Sequence, residues 1–386
     1  MFGGNPDSIT VSGQSAGGID TSVLALSSQA RGLFDRAFPM SGVPGVDHPM
    51  VLAREPVVMA DMLARREKCL CESAPTPQTS DQWEAVLDCL RRLPEDRFAS
   101  LEGLGNLPSC GPVVDGDLLP KQIKDLFSDS AYLESIGFYE KDYLVSVVNN
   151  EGDFLTVIFD YKKSLMTEEQ LEAMPPSAIF QGVVSEMLKG GFGQVSPEVV
   201  GKVVEYYNNN YEVNPLADFA ADCIFHVPSL EFVNAISSGG GGERGKVYLL
   251  RFDEYPEFMA GPYKGTTHGL DLSYLFDLRQ DELRKFLDYK VDESKWSSAD
   301  TDLKDRYCDL VSSFVKTGKP EVPKGASGKV PPTWPPYDPV KGQYLAFSSA
   351  PSLAQHLKAD RLRFFQQQIP EWIREFPLQP PSKDEL

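Results

Sequence analysis

Ser8-Ile9-Thr10-Val11 is rich in β-branched residues and reads as a short strand. It runs into Gly13-Gln14-Ser15-Ala16-Gly17-Gly18, and a helical stretch through Val23 and Leu26 follows. Strand, sharp turn and helix leave the serine on a strained turn, its hydroxyl held out above a sheet. Side chains at the flanking glycines would collide with the neighbouring strand and helix. Gly-x-Ser-x-Gly is weak alone: with 31 glycines in 386 residues and ~7% serine, roughly 0.2 matches arise by chance. Its position between a strand and a helix makes it specific.

The rest of the chain supports a sheet. Tyr143 to Val148 and Val247 to Phe252 are near-continuous apolar runs, the pattern of strands buried on both faces. A helix is expected over Asp81 to Leu93, with Ser80 as cap and Trp83, Val86, Leu87 and Leu90 on one face. Met166 to Ser237 holds amphipathic segments broken at Pro175-Pro176, Pro197, Pro215 and Pro228, a largely helical insertion at about 160–240. Gly239 to Gly242 reads as a surface loop, Gly325 to Pro339 as an extended crossing, and Ser352 to Phe376 as a closing helix. No internal repeat is present. Alternating strands and helices predict one α/β domain over residues 1–386, a mainly parallel sheet flanked by helices.

Charge narrows the function classes. Thirty-seven basic against 56 acidic residues give a formal charge of −19, which repels polyanions and excludes nucleic acid as an expected partner. No apolar run has the length of a transmembrane segment. The six cysteines show no zinc spacing: Cys69-Leu70-Cys71 is too tight and no histidine pair lies nearby, so no metal is expected. A local disulfide from Cys69 or Cys71 to Cys89 fits an oxidising compartment. The chain ends in Lys383-Asp384-Glu385-Leu386, the retrieval signal of the endoplasmic reticulum lumen, which implies a retrieval receptor as partner. Met1 to Asp7 carries no basic region or apolar stretch of a signal peptide. The two ends disagree, and two expectations follow: either this form never enters the lumen, or the true beginning lies upstream.

A nucleophilic serine needs a base, and the chain has four histidines. His48 comes too early to leave room for an acid-bearing strand. His226, in Phe225-His226-Val227, reads as a packed helix residue. His356, among Gln355, Lys358 and Asp360, reads as a solvent-facing position on a late helix. His268, in Gly265-Thr266-Thr267-His268-Gly269, lies in a loop between strand and helix, where such sheets carry functional side chains. The acid should follow a buried strand. Glu151, just past Tyr143 to Val148, could accept from the histidine Nδ1–H and fix its tautomer. Asp153 is the rival, while Asp115 and Asp117 read as turn aspartates.

Several motifs strengthen this reading. Phe2-Gly3-Gly4-Asn5-Pro6, Gly13 to Gly18, Gly111-Pro112-Val113-Val114-Asp115-Gly116, Glu151-Gly152, His268-Gly269 and Trp334-Pro335-Pro336-Tyr337 stand in one order. Together they resemble the type-B carboxylesterase and cholinesterase family, with its α/β-hydrolase fold, along nearly the whole chain. The resemblance implies a triad of Ser15, Glu151 and His268, and a serine at Ser41 that hydrogen-bonds the acid. It also implies a disulfide from Cys69 or Cys71 to Cys89 and hydrolysis of a small-molecule ester without a cofactor. The retention signal resembles the reticulum carboxylesterases more than secreted cholinesterases. Two departures stand out. The residue before the nucleophile is Gln14 where the family usually has Glu, which weighs against choline esters. The family's oxyanion-hole glycines precede the nucleophile strand, so only the Ala16 backbone N–H is expected from that site, and N-terminal strands of the sheet are expected to be missing. The competing expectations are an inactive truncated form and a non-catalytic, cholinesterase-like adhesion protein.

Overall fold

The computed structural model describes residues 3–45, 56–95, 97, 111–153, 175–211, 214–239, 244–259, 265–276, 292–324 and 333–378. The retrieval tetrapeptide Lys383-Asp384-Glu385-Leu386, His48, and residues 154–174 of the expected insertion lie outside them. The chain forms two compact units: Met50–Val114, and Met1–Pro49 with Asp115–Leu386.

The larger unit is built on six strands: β1 (Thr10–Gln14), β2 (Arg36–Met40), β3 (Asp142–Val148), β4 (Val247–Phe252), β5 (Gln343–Phe347) and β6 (Ser352–Gln355). They stand side by side in chain order. The first five pair in parallel and β6 returns antiparallel on β5. The two apolar runs read from the sequence are β3 and β4. The Ser8–Val11 strand sits two residues later, so that Gly13 and Gln14 belong to it and deliver Ser15 from its end. β2, β5 and β6 are not expected from the sequence. Ser352–Phe376 is not one helix, because Ser352–Gln355 hydrogen-bonds to β5 first. His356, exposed as expected, then lies in a left-handed turn rather than on a helix.

Helices of the larger unit occupy both faces of its sheet. In chain order the described helices of both units are α1 (Ala16–Ala25), α2 (Pro56–Arg66), α3 (Ser80–Arg91), α4 (Ile123–Ser128), α5 (Ser130–Ser135), α6 (Pro176–Phe192), α7 (Pro197–Asn210), α8 (Pro215–Ala221), α9 (Val227–Ser238), α10 (Asp271–Leu275), α11 (Ser298–Thr317), α12 (Ala359–Arg363) and α13 (Ile369–Glu375). Successive strand residues point to opposite faces. Tyr143 packs edge-on against Phe232 of α9, while Leu144 and Val148 join Tyr307, Leu310 and Phe314 of α11 in a second cluster. That two-sided burial is why β3 and β4 are apolar over most of their length.

Prolines in the helical region start helices rather than break them. Pro176, Pro197 and Pro215 stand in the first turns of α6, α7 and α8, where the missing N–H costs nothing. Pro228 follows a π-helical turn at Asp222–His226 that joins α8 to α9. The extra residue per turn absorbs the ring without ending the helical run. Within this turn His226 is buried, as a packed helix residue should be. Its Nδ1 lies 3.1 Å from Asp222 Oδ1. Asp222 is in turn paired with Arg361 and with the Tyr207 hydroxyl at 3.0 Å. Against the cost of burial, Lys358, His226 and Arg361 hold the Asp222 carboxyl well below the ordinary aspartate range.

The smaller unit carries α2 and α3. Its α3 is capped by Thr79 rather than Ser80: the Thr79 hydroxyl takes the Gln82 N–H and the Gln82 side chain takes the Thr79 N–H. Val86 is buried on the expected apolar face, but Leu87 is 38% exposed. Cys69 is bonded to Cys89, which decides the pairing left open, and Cys71 is an exposed free thiol.

Candidate active site

Ser15 follows β1 with φ 57° and ψ −121°, a conformation that costs a non-glycine residue about 1–3 kcal/mol. The surroundings hold it there. Its N–H donates to Met40 O at 2.9 Å and its carbonyl accepts from the Gly18 and Ile19 N–H groups. An N-cap serine ordinarily turns its hydroxyl onto the first helical turn; Ser15 makes no such bond. Its Oγ instead lies 2.9 Å from His268 Nε2.

The tight crossing explains Gly13 and Gly18 but not Gly17, where an added Cβ would meet nothing within 4 Å, so the collision expected there does not occur. A Cβ at Gly13 would stand 2.1 Å from Gly17 O, and one at Gly18 would stand 2.6 Å from Gly42 O. Gly42 is a further case: its Cβ would meet Ser15 O at 2.1 Å. The sequence singles out Gly42 only as a neighbour of Ser41; the backbone beside it is visible only in three dimensions.

His268 Nδ1 lies 2.7 Å from Glu151 Oε2, and Glu151 Oε1 accepts the Val148 N–H at 2.8 Å. Both side chains are buried. Burial pushes the Glu151 carboxyl up, but the His268 bond and charge, then His226 and the Val148 amide, hold it below the ordinary glutamate value. The ionised acid fixes the proton on Nδ1 and leaves Nε2 to accept the Ser15 hydroxyl. Asp153, the alternative acid, instead bonds Asn150 Nδ2 at 2.5 Å. Asp115 is a turn residue, accepting the N–H groups of Asp117 and Leu119.

Two loops meet to make this contact. Asn150 forms an isolated parallel bridge with Thr267, the Asn150 N–H donates to Thr266 O at 3.1 Å, and the Thr266 N–H donates to Asn149 Oδ1 at 2.8 Å. Glu151 and His268 are thus stitched together through the residues just before each. Asn149 and Asn150 carry this role without any sequence signal beyond adjacency to the acid. Phe225 of the π turn lies against the base, ring centres 4.5 Å apart.

Two side chains, Ser41 and Asp271, behave differently from expectation or were not anticipated. Ser41 is buried, and its hydroxyl has no hydrogen-bond partner among the described residues. The expected Ser41–Glu151 bond is therefore not made directly; the two carboxylate oxygens take Val148 and His268 instead. Ala16, the expected oxyanion donor, opens α1 beside Ser15 and is exposed. Asp271, one turn beyond the base, is 1% exposed with Oδ1 unpartnered among the described residues. Burial and then the Glu151 charge push its carboxyl up to about 7. Among the described residues no cluster of His, Cys, Asp and Glu has metal-binding geometry, and no helix is long and apolar enough to cross a membrane. A cavity of about 390 Å³ is lined by Met187, Leu188, Cys223, Val227 and Phe365 among others, and includes none of the Ser15 cluster.

The comparisons agree with this architecture. The sequence is 28% identical over 383 residues to human cocaine esterase, covering 97% of this chain and 60% of that protein. It is 25% identical over 370 residues to carboxylesterase 1C of Rattus norvegicus, covering 94% and 59%. It is 26% identical over 387 residues to acetylcholinesterase of Bungarus fasciatus, covering 96% and 57%. The chain thus spans about 60% of the length of these relatives. The sequence model described as "Carboxylesterase family" matches residues 1–365, from before the elbow to well past the base. A match over that span, on a parallel sheet with the serine at a strand end, settles membership: this chain belongs to the carboxylesterase family.

Proposed function

We propose that the chain carries a serine esterase site in which Ser15 is the nucleophile, His268 the general base and acid, and Glu151 the group that orients and stabilises the imidazole. The observation that supports it is the unbroken succession Ser15 Oγ to His268 Nε2 at 2.9 Å and His268 Nδ1 to Glu151 Oε2 at 2.7 Å. These distances lie within the reach a nucleophile and its base need. As Ser15 Oγ attacks the ester carbonyl carbon, its proton passes to His268 Nε2. The resulting imidazolium, held by Glu151, gives that proton to the leaving alkoxide oxygen as the ester C–O bond breaks. Water then loses a proton to Nε2 and attacks the acyl-serine. The tetrahedral species collapses, and the carboxylic acid and the Ser15 hydroxyl are regenerated. The Ala16 N–H is the donor this chain offers to the developing oxyanion; each such donor is worth about 10²–10³ in turnover.

Neutral esters fit better than choline esters, because Gln14 offers no charge to a cationic group. The Cys69–Cys89 disulfide suits the oxidising lumen that Lys383–Leu386 specify. Deleting those four residues from a chain delivered to that lumen should release it to the medium.

The full chain is treated with a fluorophosphonate probe and assayed with a short-chain p-nitrophenyl ester, alongside Ser15→Ala. Covalent labelling that vanishes in Ser15→Ala supports the proposal. An unlabelled, folded wild-type chain would favour a binding role, and labelling retained in Ser15→Ala would remove Ser15 from the chemistry.

A further inference from the structure

Glu151 fixes the His268 proton on Nδ1, so Nε2 presents a single lone pair. Among the described residues, Ser15 and Gln14 both reach it. Ser15 Oγ stands at 2.9 Å, and the Gln14 amide nitrogen, Nε2, stands at 3.2 Å. Gln14 ends β1 immediately before the nucleophile and is half-buried. Its amide is therefore turned onto the base.

We infer that Gln14 is a base-contacting residue whose amide N–H donates to His268 Nε2, competes there with the Ser15 hydroxyl, and favours the uncharged ring between turnovers. The inference rests on the esterase reading for its consequence in catalysis, but not for the contact. Once His268 has taken the Ser15 proton, Nε2 becomes a donor and the amide N–H faces another N–H. The contact that favours the neutral base thus opposes the imidazolium, and releasing the proton to the leaving group restores it. A glutamate at this position does the reverse: its charge favours the imidazolium and offers nothing to the bare nitrogen.

Other described groups face the ring. Ser15 comes from the elbow and Glu151 from the loop after β3. Asp271, which titrates at about 7, acts on both His268 and Glu151 from α10. The π turn contributes the uncharged Phe225 ring and His226, whose charge acts on Glu151. All of these are common to wild type and Gln14 variants, so differences between the variants isolate residue 14.

The test compares wild type, Gln14→Met and Gln14→Glu in the full chain. Fluorophosphonate labelling rates are measured from pH 5 to 9, and the His268 ring nitrogens are followed by NMR of ¹⁵N-histidine-labelled protein over the same range. Losing one hydrogen bond to the neutral ring should move the rising limb of the Gln14→Met profile up by about half a unit to one unit. A carboxylate at this half-buried position should move the Gln14→Glu limb up by about one to two units. The His268 ¹⁵N titration midpoints should follow the same order. A Gln14→Met profile that superimposes on wild type, or shifts to lower pH, overturns the inference; the downward shift would mean that the amide serves the imidazolium. If wild type does not label at all, the esterase reading fails. The ¹⁵N titration still decides this inference: the same ordered midpoints uphold it and coincident midpoints overturn it.

Discussion

A Cβ on Gly13 would stand 2.1 Å from the carbonyl oxygen of Gly17. The strand that delivers Ser15 and the helix that carries the chain away cross at a separation only hydrogen can fill. The obstacle is backbone, so no side-chain rotation relieves it. Gly13→Ala should therefore destabilise the chain by about 3 kcal/mol or more and cut phosphonate labelling at least tenfold. A urea titration read beside the labelling rate checks both effects, and a Gly13→Ala chain that labels and unfolds like wild type would contradict this packing.

Glu151→Gln keeps the size of the acid and removes its charge. The amide no longer fixes the proton on His268 Nδ1 or stabilises the imidazolium. By analogy with the serine-protease triad, turnover should fall by about 10³–10⁴ while the fold persists. Ester hydrolysis together with near-ultraviolet circular dichroism separates a lost site from a lost fold.

Asp271 should make stability fall as pH rises. Burial pushes its folded value up to about 7, above the ordinary aspartate value of 3.8. Between those limits the unfolded chain binds fewer protons than the folded one, so unfolding becomes easier from about pH 4 to 7 and levels off above. The full shift corresponds to at most about 4 kcal/mol. Asp271→Asn removes the ionisation and should gain about 1–3 kcal/mol over wild type at pH 8, with little gain at pH 4. Urea unfolding at the two pH values measures this, and equal differences at both would rule it out.

The Cys69–Cys89 bond closes a loop with a sequence separation of 20. Replacing both by Ala should cost about 3 kcal/mol in the unit that carries α2 and α3. Peptide mapping without reductant should find Cys69 joined to Cys89 and Cys71 open to maleimide; a Cys71–Cys89 peptide would reassign the bridge.

The sequence by itself determined the elements whose signals are local. The elbow is legible because it joins a strand to a helix, and because Gly13 answers a steric demand from Gly17, four residues on. β3 and β4 are legible because strands covered on both faces must be apolar over most of their length. Ser15 and Glu151 could be named because each follows such a signal, and His268 by its loop position once the other three histidines are set aside. Only the tertiary structure decided the rest. β2 holds Pro39 opposite Gly13, and β6 is four residues of mixed polarity; neither shows itself until a neighbour pairs with it. The stitching of Asn149 and Asn150 to Thr266 and Thr267, the closeness of Gly42 to Ser15, and the reach of Gln14 to the base all join residues remote in the chain. Local propensity is set by neighbours in sequence, whereas hydrogen bonds across loops and contacts between backbones depend on positions that exist only once the sheet has assembled.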